Sequence, residues 1–360
     1  MRPGTEQEVA EIVRAAEGPL RIVGGGTRGI GRCAGAVLET CGLAGIRLYE
    51  PGALTLVAGA GTRLADVEAA LAAQGQRLPF EVPDLRGLLG RGGCSTLGGV
   101  VASNASGPRR VQAGACRDSL IGVRFVDGTG AVVKNGGRVM KNVTGYDLVK
   151  LLAGSHGTLG VLTEVAFKLL PVPEDEVTLM LSGVSAERAV AAMAAALGSP
   201  FEVSGAAHWP GRGTFLRIEG FAASVAYRAG RLAALLAPFG AVEQVAGPWR
   251  SIRDVEPFQG REGDVWRVLV KPSEAPGVAV RSGGEVLIDW GGGLVWVLVE
   301  PGCDLRARIG PLAGHATLVR GGEAGDLPVF PPEPAAVAAL SRGLRARFDP
   351  RGLFNPGLMA

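Results

Sequence analysis

The stretch Gly92-Gly93-Cys94-Ser95-Thr96-Leu97-Gly98-Gly99-Val100-Val101-Ala102-Ser103-Asn104-Ala105-Ser106-Gly107 constrains this chain more than any other. Almost every residue in it is small, and its glycines fall where neither a packed helix nor a strand would want them. Glycine reaches positive φ without the Cβ penalty and lets another group approach the main chain closely. With the Ser and Thr hydroxyls between them, these glycines predict an irregular polar lining of little bulk. Such a lining suits a large planar anion lying along the main chain, its phosphates held by N–H nests rather than lysines. Taken alone, the run reads equally well as a flexible surface loop. Val100, Val101 and Ala102 count against that, because an apolar trio asks to be buried. Gly24-Gly25-Gly26-Thr27 repeats the same character far upstream.

A chain of 360 residues is long enough for two domains, each with its own core. Its 47% hydrophobic and 20% charged residues describe a compact protein and exclude a disordered one. Fifty-seven glycines, far above ordinary usage, fit a chain that makes many main-chain contacts to a ligand. A net charge of +3 is too mild and scattered for nucleic acid. The five cysteines, Cys33, Cys41, Cys94, Cys116 and Cys303, are widely spaced and offer neither an iron–sulfur or zinc cluster nor a disulfide framework. The N-terminal Met1-Arg2-Pro3-Gly4-Thr5-Glu6 has no apolar core and does not read as a signal peptide. No run approaches the roughly 20 apolar residues of a membrane span. The expected location is cytoplasmic, or peripheral to the inner membrane through partner subunits.

In chain order, Thr5 and Glu8 form a capping box that opens a helix to about Ala16. Leu20–Val23 is a strand that runs straight into Gly24–Thr27, with Gly26 and Thr27 placed closest to a phosphate. A Rossmann unit also begins with a strand and glycines, but a helix must follow at once, and Arg28–Gly35 is too glycine-rich to start one. Strands follow at Val37–Thr40, Ile46–Tyr49 and Leu54–Val57, and Thr62 is expected to cap a helix over Leu64–Ala73. Asp127-Gly128-Thr129-Gly130 joins Val123–Val126 to Ala131–Lys134 as a hairpin. Tyr146–Ala153 reads as a helix ended by Gly154, and Val161–Leu170 as a strand closed by Pro171. From Glu176 a β-α-β-β-α-β series runs to Val245 and recurs over Val265–Val319, each half matching a ferredoxin-like unit. Glu333–Arg347 is an amphipathic helix whose stripe Val337, Leu340 and Leu344 is expected to face a core. Phe348, Leu353 and Phe354 predict that the tail docks.

Three spaced motifs resemble the vanillyl-alcohol oxidase and p-cresol methylhydroxylase (PCMH) flavoprotein family. Gly24–Thr27 resembles its pyrophosphate loop, and Thr96–Gly99 with Ala102-Ser103-Asn104 and Gly107 resembles its second FAD-contacting loop. Gly154-Ser155-His156-Gly157-Thr158-Leu159-Gly160-Val161-Leu162-Thr163 is similar to its third signature, with His156 replacing the usual Glu. Ser106–Arg110, Lys141–Asp147 and the tail Phe348–Pro350 to Asn355–Gly357 resemble one branch, the FAD-binding subunits of bacterial glycolate-oxidising complexes. The resemblance implies an α+β architecture: a two-lobed PCMH-type FAD-binding domain over residues 1–171, with lobes of about 1–83 and 84–171. A cap of two ferredoxin-like repeats over 172–330 follows, then a C-terminal helix and tail, 331–360, returning to the flavin. It implies FAD between the lobes, with the adenine end near Gly160 and Val161 and with Asn355 beside the flavin ring. The cofactor-binding set is then Gly24, Gly25, Gly26, Thr27, Ser95, Thr96, Gly98, Gly99, Ser103, Gly107, Gly157, Gly160, Val161 and Asn355.

Covalent attachment in this family uses a His, Cys or Tyr at special positions; Gly24–Gly31 holds none and Cys33 lies beyond, so FAD is expected to be non-covalent. Relatives acting on 2-hydroxy acids carry a His-x-Gly-Asp-Gly-Asn-x-His segment for a divalent metal. This chain has only His156, His208 and His315, without ligand spacing. The resemblance therefore implies partners: a metal-bearing flavoprotein subunit, and an iron–sulfur subunit passing electrons to a membrane quinone pool. A small 2-hydroxy acid is the implied substrate. Arg267 and Lys271 share one face of an expected strand and could form a carboxylate clamp, but solvated strand charges are the commoner explanation and the pair is left out of the expected site. Three readings stay open: a FAD-binding subunit of a glycolate-oxidising complex, a free-standing FAD-dependent sugar or alcohol oxidoreductase, and a scaffold with structural FAD. A reductase of the cell-wall precursor type is a distant fourth. No catalytic base is identified.

Overall fold

Thr5 opens α1 (Glu6–Ala15): its hydroxyl accepts from the Glu8 amide, and the Glu8 carboxylate accepts from the Gly4 amide. These bonds satisfy donors that a helix start leaves orphaned. Val9, Ala10 and Val13 pack on Leu20, Leu38, Val126 and Val161, and on the tail residues Leu353 and Phe354. The tail therefore docks, as its aromatic residues predict. The computed structural model describes residues 1–137, 145–321 and 327–359. Lys141–Thr144 of the expected motif lies outside them.

β1 (Leu20–Val23) pairs in parallel with β2 (Ala36–Glu39), and β3 (Ile46–Glu50) leads to β4 (Thr55–Gly59), α2 (Leu64–Ala72) and β5 (Gln76–Arg77). Short helices α3 (Arg86–Leu89), α4 (Leu97–Ala102), α5 (Arg110–Ala113) and α6 (Cys116–Ser119) precede β6 (Leu120–Val126) and β7 (Val132–Gly136). That hairpin turns on Asp127, whose carboxylate accepts from the amides of Thr129 and Ala131. α7 (Leu148–Leu152), β8 (Val161–Lys168) and β9 (Leu170–Pro171) complete this part. Strands β3-β4-β8-β6-β7 form one antiparallel sheet, which joins chain from both sides of residue 83.

Two local expectations fail here for identifiable reasons. The glycine-rich run does not stay irregular: Thr96 caps α4 by accepting from the Gly99 amide, and Leu97, Val100 and Val101 enter the core beside Leu56, Ala58 and Phe167. Neither Gly98 nor Gly99 has positive φ. A Cβ on Gly98 would sit 3.0 Å from the Ala60 carbonyl oxygen, so glycine serves close helix–strand packing there. Thr62 does not cap α2. Its hydroxyl donates to the Gly59 carbonyl at 2.7 Å and accepts from the Gly45 amide, which leaves Arg63 at the N-cap without a side-chain bond.

The series from residue 175 runs β10 (Asp175–Leu181), α8 (Ala186–Leu197), β11 (Val203–Trp209), β12 (Gly213–Gly220), α9 (Ala222–Leu236) and β13 (Val242–Val245). After α10 (Trp249–Arg253) come β14 (Asp264–Leu269), α11 (Ala275–Ser282), β15 (Glu285–Asp289), β16 (Leu294–Val299), α12 (Leu305–Ile309) and β17 (His315–Arg320). All eight strands lie in one antiparallel sheet of order β13-β10-β12-β11-β15-β16-β14-β17. Each half has the ferredoxin-like order, and the halves meet where His208 pairs with Ile288. The fold is thus α+β, as expected. Helices α8, α9, α11 and α12 cover one face of the sheet. The other face buries Trp249, Phe258, Trp290 and Trp296 against Leu88, with Val111 and Ile30 alongside.

The last helix, α13 (Ala335–Phe348), corrects a further expectation. None of its residues is buried, and Val337, Leu340 and Leu344 are 46%, 71% and 41% exposed. Its rotation is set at the C-terminal end, where the Phe348 ring meets Phe125 and Arg345 donates to the Met359 carbonyl. Those anchors turn Ala338, Ser341 and Arg345 inward and the apolar stripe outward. Among the described residues, no helix is long and apolar enough to cross a membrane.

Candidate functional site

Three glycine-rich stretches and the tail converge on one cleft. Gly24, Gly25, Gly26, Thr27, Thr96, Gly98, Gly99, Ser103, Gly157, Gly160 and Asn355 all line it, around roughly 1050 Å³ of space open to solvent. β1 delivers the first ribbon and the start of α4 the second. The two touch main chain to main chain: a Cβ on Gly25 would stand 1.5 Å from the Cys94 carbonyl oxygen, and one on Gly24 2.4 Å from Thr96 Oγ1. Gly24 and Gly25 are thus needed first for the approach of the ribbons to each other. Gly26, at φ +74° with nothing within 4 Å of its absent Cβ, and Gly99, whose Cβ would meet only Thr96 Oγ1 at 3.5 Å, leave main chain bare. That bare surface fits a long ligand carrying phosphates.

Asn355 stitches the tail to the cleft. Its amide donates to the Leu20 carbonyl, its Oδ1 accepts from the Ile22 amide at 2.8 Å, and its Nδ2 donates to the His156 carbonyl at 2.8 Å. It adopts φ +43°, a left-handed conformation Asn tolerates. The side-chain amide therefore fixes the geometry of the wall.

Three expected residues lie elsewhere. Ser95 receives a hydrogen bond from Arg28, and its carbonyl accepts from Leu64. Val161 is fully buried beneath α1. Gly107 faces the eight-stranded sheet: its carbonyl accepts from Trp290 Nε1, and a Cβ would meet Glu81 and Arg253. Its neighbour Arg109 donates to Glu219 through Nε and NH2 at 3.0 and 2.9 Å, while its amide donates to Glu81. Arg217 donates to Glu81 at 2.8 Å, and Arg77 to Glu219 at 2.7 Å. This buried cluster joins the eight-stranded sheet to the first part of the chain. Burial opposes ionisation of Glu219, but hydrogen bonds from Arg109 and Arg77 and the charge of Arg217 prevail and hold its carboxyl well below the usual range. Glu81 is lowered likewise, burial again being outweighed, here by Arg217 and Arg109.

Sequence reasoning missed Arg28 in the wall and the isolation of Arg267 outside it. Arg28 lies along the wall, its head donating to the Pro83 carbonyl and Ser95 Oγ while its Nε stays buried without a partner. Arg267, weighed only as half of a strand pair with Lys271, stands alone: Lys271 is exposed beyond the end of β14. Arg267 and Arg110 both lie over the Trp290 ring, at 5.2 and 4.5 Å from its centre. Among the described residues, Arg267 has no carboxylate within ion-pairing distance. Burial, with the nearby Arg110 charge, lowers its pKa to about 10. Burial and then Arg267 push His156 down to about 4, so that ring, 5.2 Å from Phe330, is neutral at pH 7. Arg267 is half-buried, and drawing a cation out of water without a counter-ion is costly, so this region is suited to an anion.

His208 is buried on β11 with Nδ1 2.9 Å from Thr214 Oγ1, and His315 begins β17. Among the described residues, no three His, Cys, Asp or Glu side chains converge as a metal-ligand set.

A family model described as an FAD binding domain matches residues 1–136. The chain is 38% identical over 346 residues to glycolate oxidase subunit GlcE of Escherichia coli (strain K12), covering 95% of this chain and 92% of that protein. It is 44% identical over 86 residues to glycolate oxidase subunit GlcD of Bacillus subtilis (strain 168), covering 24% of this chain and 18% of that one. A solved alkyldihydroxyacetonephosphate synthase superposes with a TM-score of 0.73 at 16% identity, over 99% of this chain and 76% of that one, and shows the shared fold.

Proposed function

Because this chain belongs to the family of FAD-binding glycolate oxidase subunits, we propose that it holds FAD non-covalently in the cleft and works within a complex that oxidises a small 2-hydroxy acid. The observation that carries this reading is the meeting of Gly24–Thr27, Thr96–Ser103, Gly157–Gly160 and Asn355 on one wall with bare main chain at Gly26 and Gly99. We assign residues 1–171 to the FAD-binding domain, in two lobes, 172–330 to the cap, and 331–360 to the helix and tail. FAD held there would supply the hydride acceptor. Main-chain amides of Gly26 and Thr27 face the nucleotide in this reading, Gly99 leaves the wall without side-chain bulk, and Asn355 holds the wall beside it. Arg267 orients a carboxylate at the cap side, near neutral His156, which lines the cleft. Burial pushes the Cys33 thiol up, away from the thiolate that covalent attachment would need.

Electrons then leave towards an iron–sulfur subunit, and a metal-bearing flavoprotein subunit of the GlcD kind is the other partner; any membrane contact runs through them, and the chain itself is cytoplasmic. The test is anaerobic addition of glycolate to the FAD-loaded chain. Bleaching of its flavin only in the presence of the partner subunits supports the reading. Rapid bleaching of the chain alone identifies a free-standing oxidoreductase. Flavin that stays oxidised within the active complex identifies a structural cofactor and refutes the proposed role.

A further inference from the structure

The outward stripe of α13 is a surface that the flavin chemistry leaves unexplained. Fourteen residues make a helix about 21 Å long. No named strand or helix packs along its length, and its most apolar side chains, Val337, Leu340 and Leu344, point to solvent. At 100° per residue these three share one face. Ala336 and Gly343, also exposed, border it and leave room for a second helix to come close. The stripe is self-complementary about its middle: laid antiparallel on its own copy with Leu340 on the twofold axis, Leu340 meets Leu340, Val337 meets Gly343 and Leu344 meets Ala336. The same pairing brings Glu333, exposed just before the helix, to Arg347 at the exposed far end. Among the described residues, Arg347 has no ion-pair partner and the Glu333 carboxylate is engaged only by the Ser341 hydroxyl. Antiparallel pairing also sets the two helix dipoles favourably.

We propose that α13 is a twofold interface through which a second copy of this chain docks, helix against antiparallel helix. The contact is small for a permanent dimer, so association is weak and concentration-dependent. Sedimentation equilibrium of the purified full chain from micromolar to several hundred micromolar is expected to show monomer and dimer in exchange. Leu340→Glu, at the twofold axis, is expected to weaken the dimer at least roughly tenfold, with flavin content and melting temperature unchanged. Arg347→Glu and Glu333→Arg each weaken it, and the two together restore it, which only the antiparallel register predicts. A chain that stays monomeric at every concentration overturns the proposal. So does a dimer indifferent to Leu340→Glu, or charge reversals that add instead of compensating. If Leu340→Glu leaves self-association unchanged but releases a co-expressed GlcD-type subunit, the face belongs to a different chain and the proposal falls. None of these results bears on whether the cleft holds FAD.

Discussion

The four cleft glycines nearest the expected nucleotide make different demands, and alanine separates them. At Gly25, a Cβ would stand 1.5 Å from the Cys94 carbonyl oxygen, so the two ribbons must part by at least 1.5 Å to reach a tolerable 3.0 Å. Main chain on both sides leaves no flexible side chain to yield, and the cost is about 1–3 kcal/mol or more. At Gly26 there is space but φ is +74°, and Gly26→Ala costs about 1–2 kcal/mol from left-handed strain. Gly98→Ala brings a Cβ to 3.0 Å from the Ala60 oxygen and costs an intermediate amount. Gly99 has neither obstacle, and because it lies in the first turn of α4, Gly99→Ala is neutral or stabilising by up to about 1 kcal/mol. Gly99→Asp should likewise leave the FAD-free chain folded, since an acid is tolerated in a helix's first turn. It should nevertheless abolish FAD binding, because bulk and negative charge enter the one side that is bare. Denaturant unfolding of the FAD-free variants, beside equilibrium titration with FAD, reads both quantities. Wild-type stability in Gly25→Ala would refute the ribbon contact, and full flavin occupancy in Gly99→Asp would refute the cofactor placement.

Glu219→Gln removes the charge that faces Arg77, Arg109 and Arg217, and should destabilise the chain by about 3 kcal/mol in urea unfolding. Because the folded state holds Glu219 and Glu81 below their ordinary range, their contribution is full above about pH 4.5 and is lost as pH falls further; acid unfolding of the wild type should be steeper than that of Glu219→Gln. Asp289 runs the other way: burial raises it to about 7, so it weakens the fold as pH rises from 4 towards 7. Asp289→Asn keeps an acceptor for the Trp290 amide and should gain about 1–2 kcal/mol at pH 8 while changing little at pH 4. Arg267→Met should raise the KM for glycolate in the assembled complex by roughly tenfold or more without loss of FAD. An unchanged KM would remove Arg267 from the substrate site.

Much of this was legible in the residues. The ferredoxin-like halves showed their alternation of strands and helices almost residue for residue, because the helices bury one apolar face and strands such as β16 are buried along their whole length. The cleft ribbons were legible as composition. Their geometry was not: small residues allow either a loop or a tight helix, and only the contact of α4 with β4 and β8 selects the helix. Gly107 is expected beside the cofactor, whereas the structure places it, with Arg109, at the contact with the eight-stranded sheet, because the partners Trp290, Glu81 and Glu219 are remote in sequence. Arg267 carried no local signal of being unpaired, since that depends on what Trp290 and Arg110 bring to it. The stripe of α13 was read correctly as a stripe and wrongly as buried, because periodicity specifies a face and not what covers it.

The most direct measurement is the FAD content of the native protein after gentle isolation, followed by acid precipitation. We expect a yellow protein with one FAD per chain, released intact into the supernatant by acid. A colourless protein that also refuses added FAD, alone or with its partners, would contradict the central claim, and flavin retained in the acid pellet would contradict non-covalent binding.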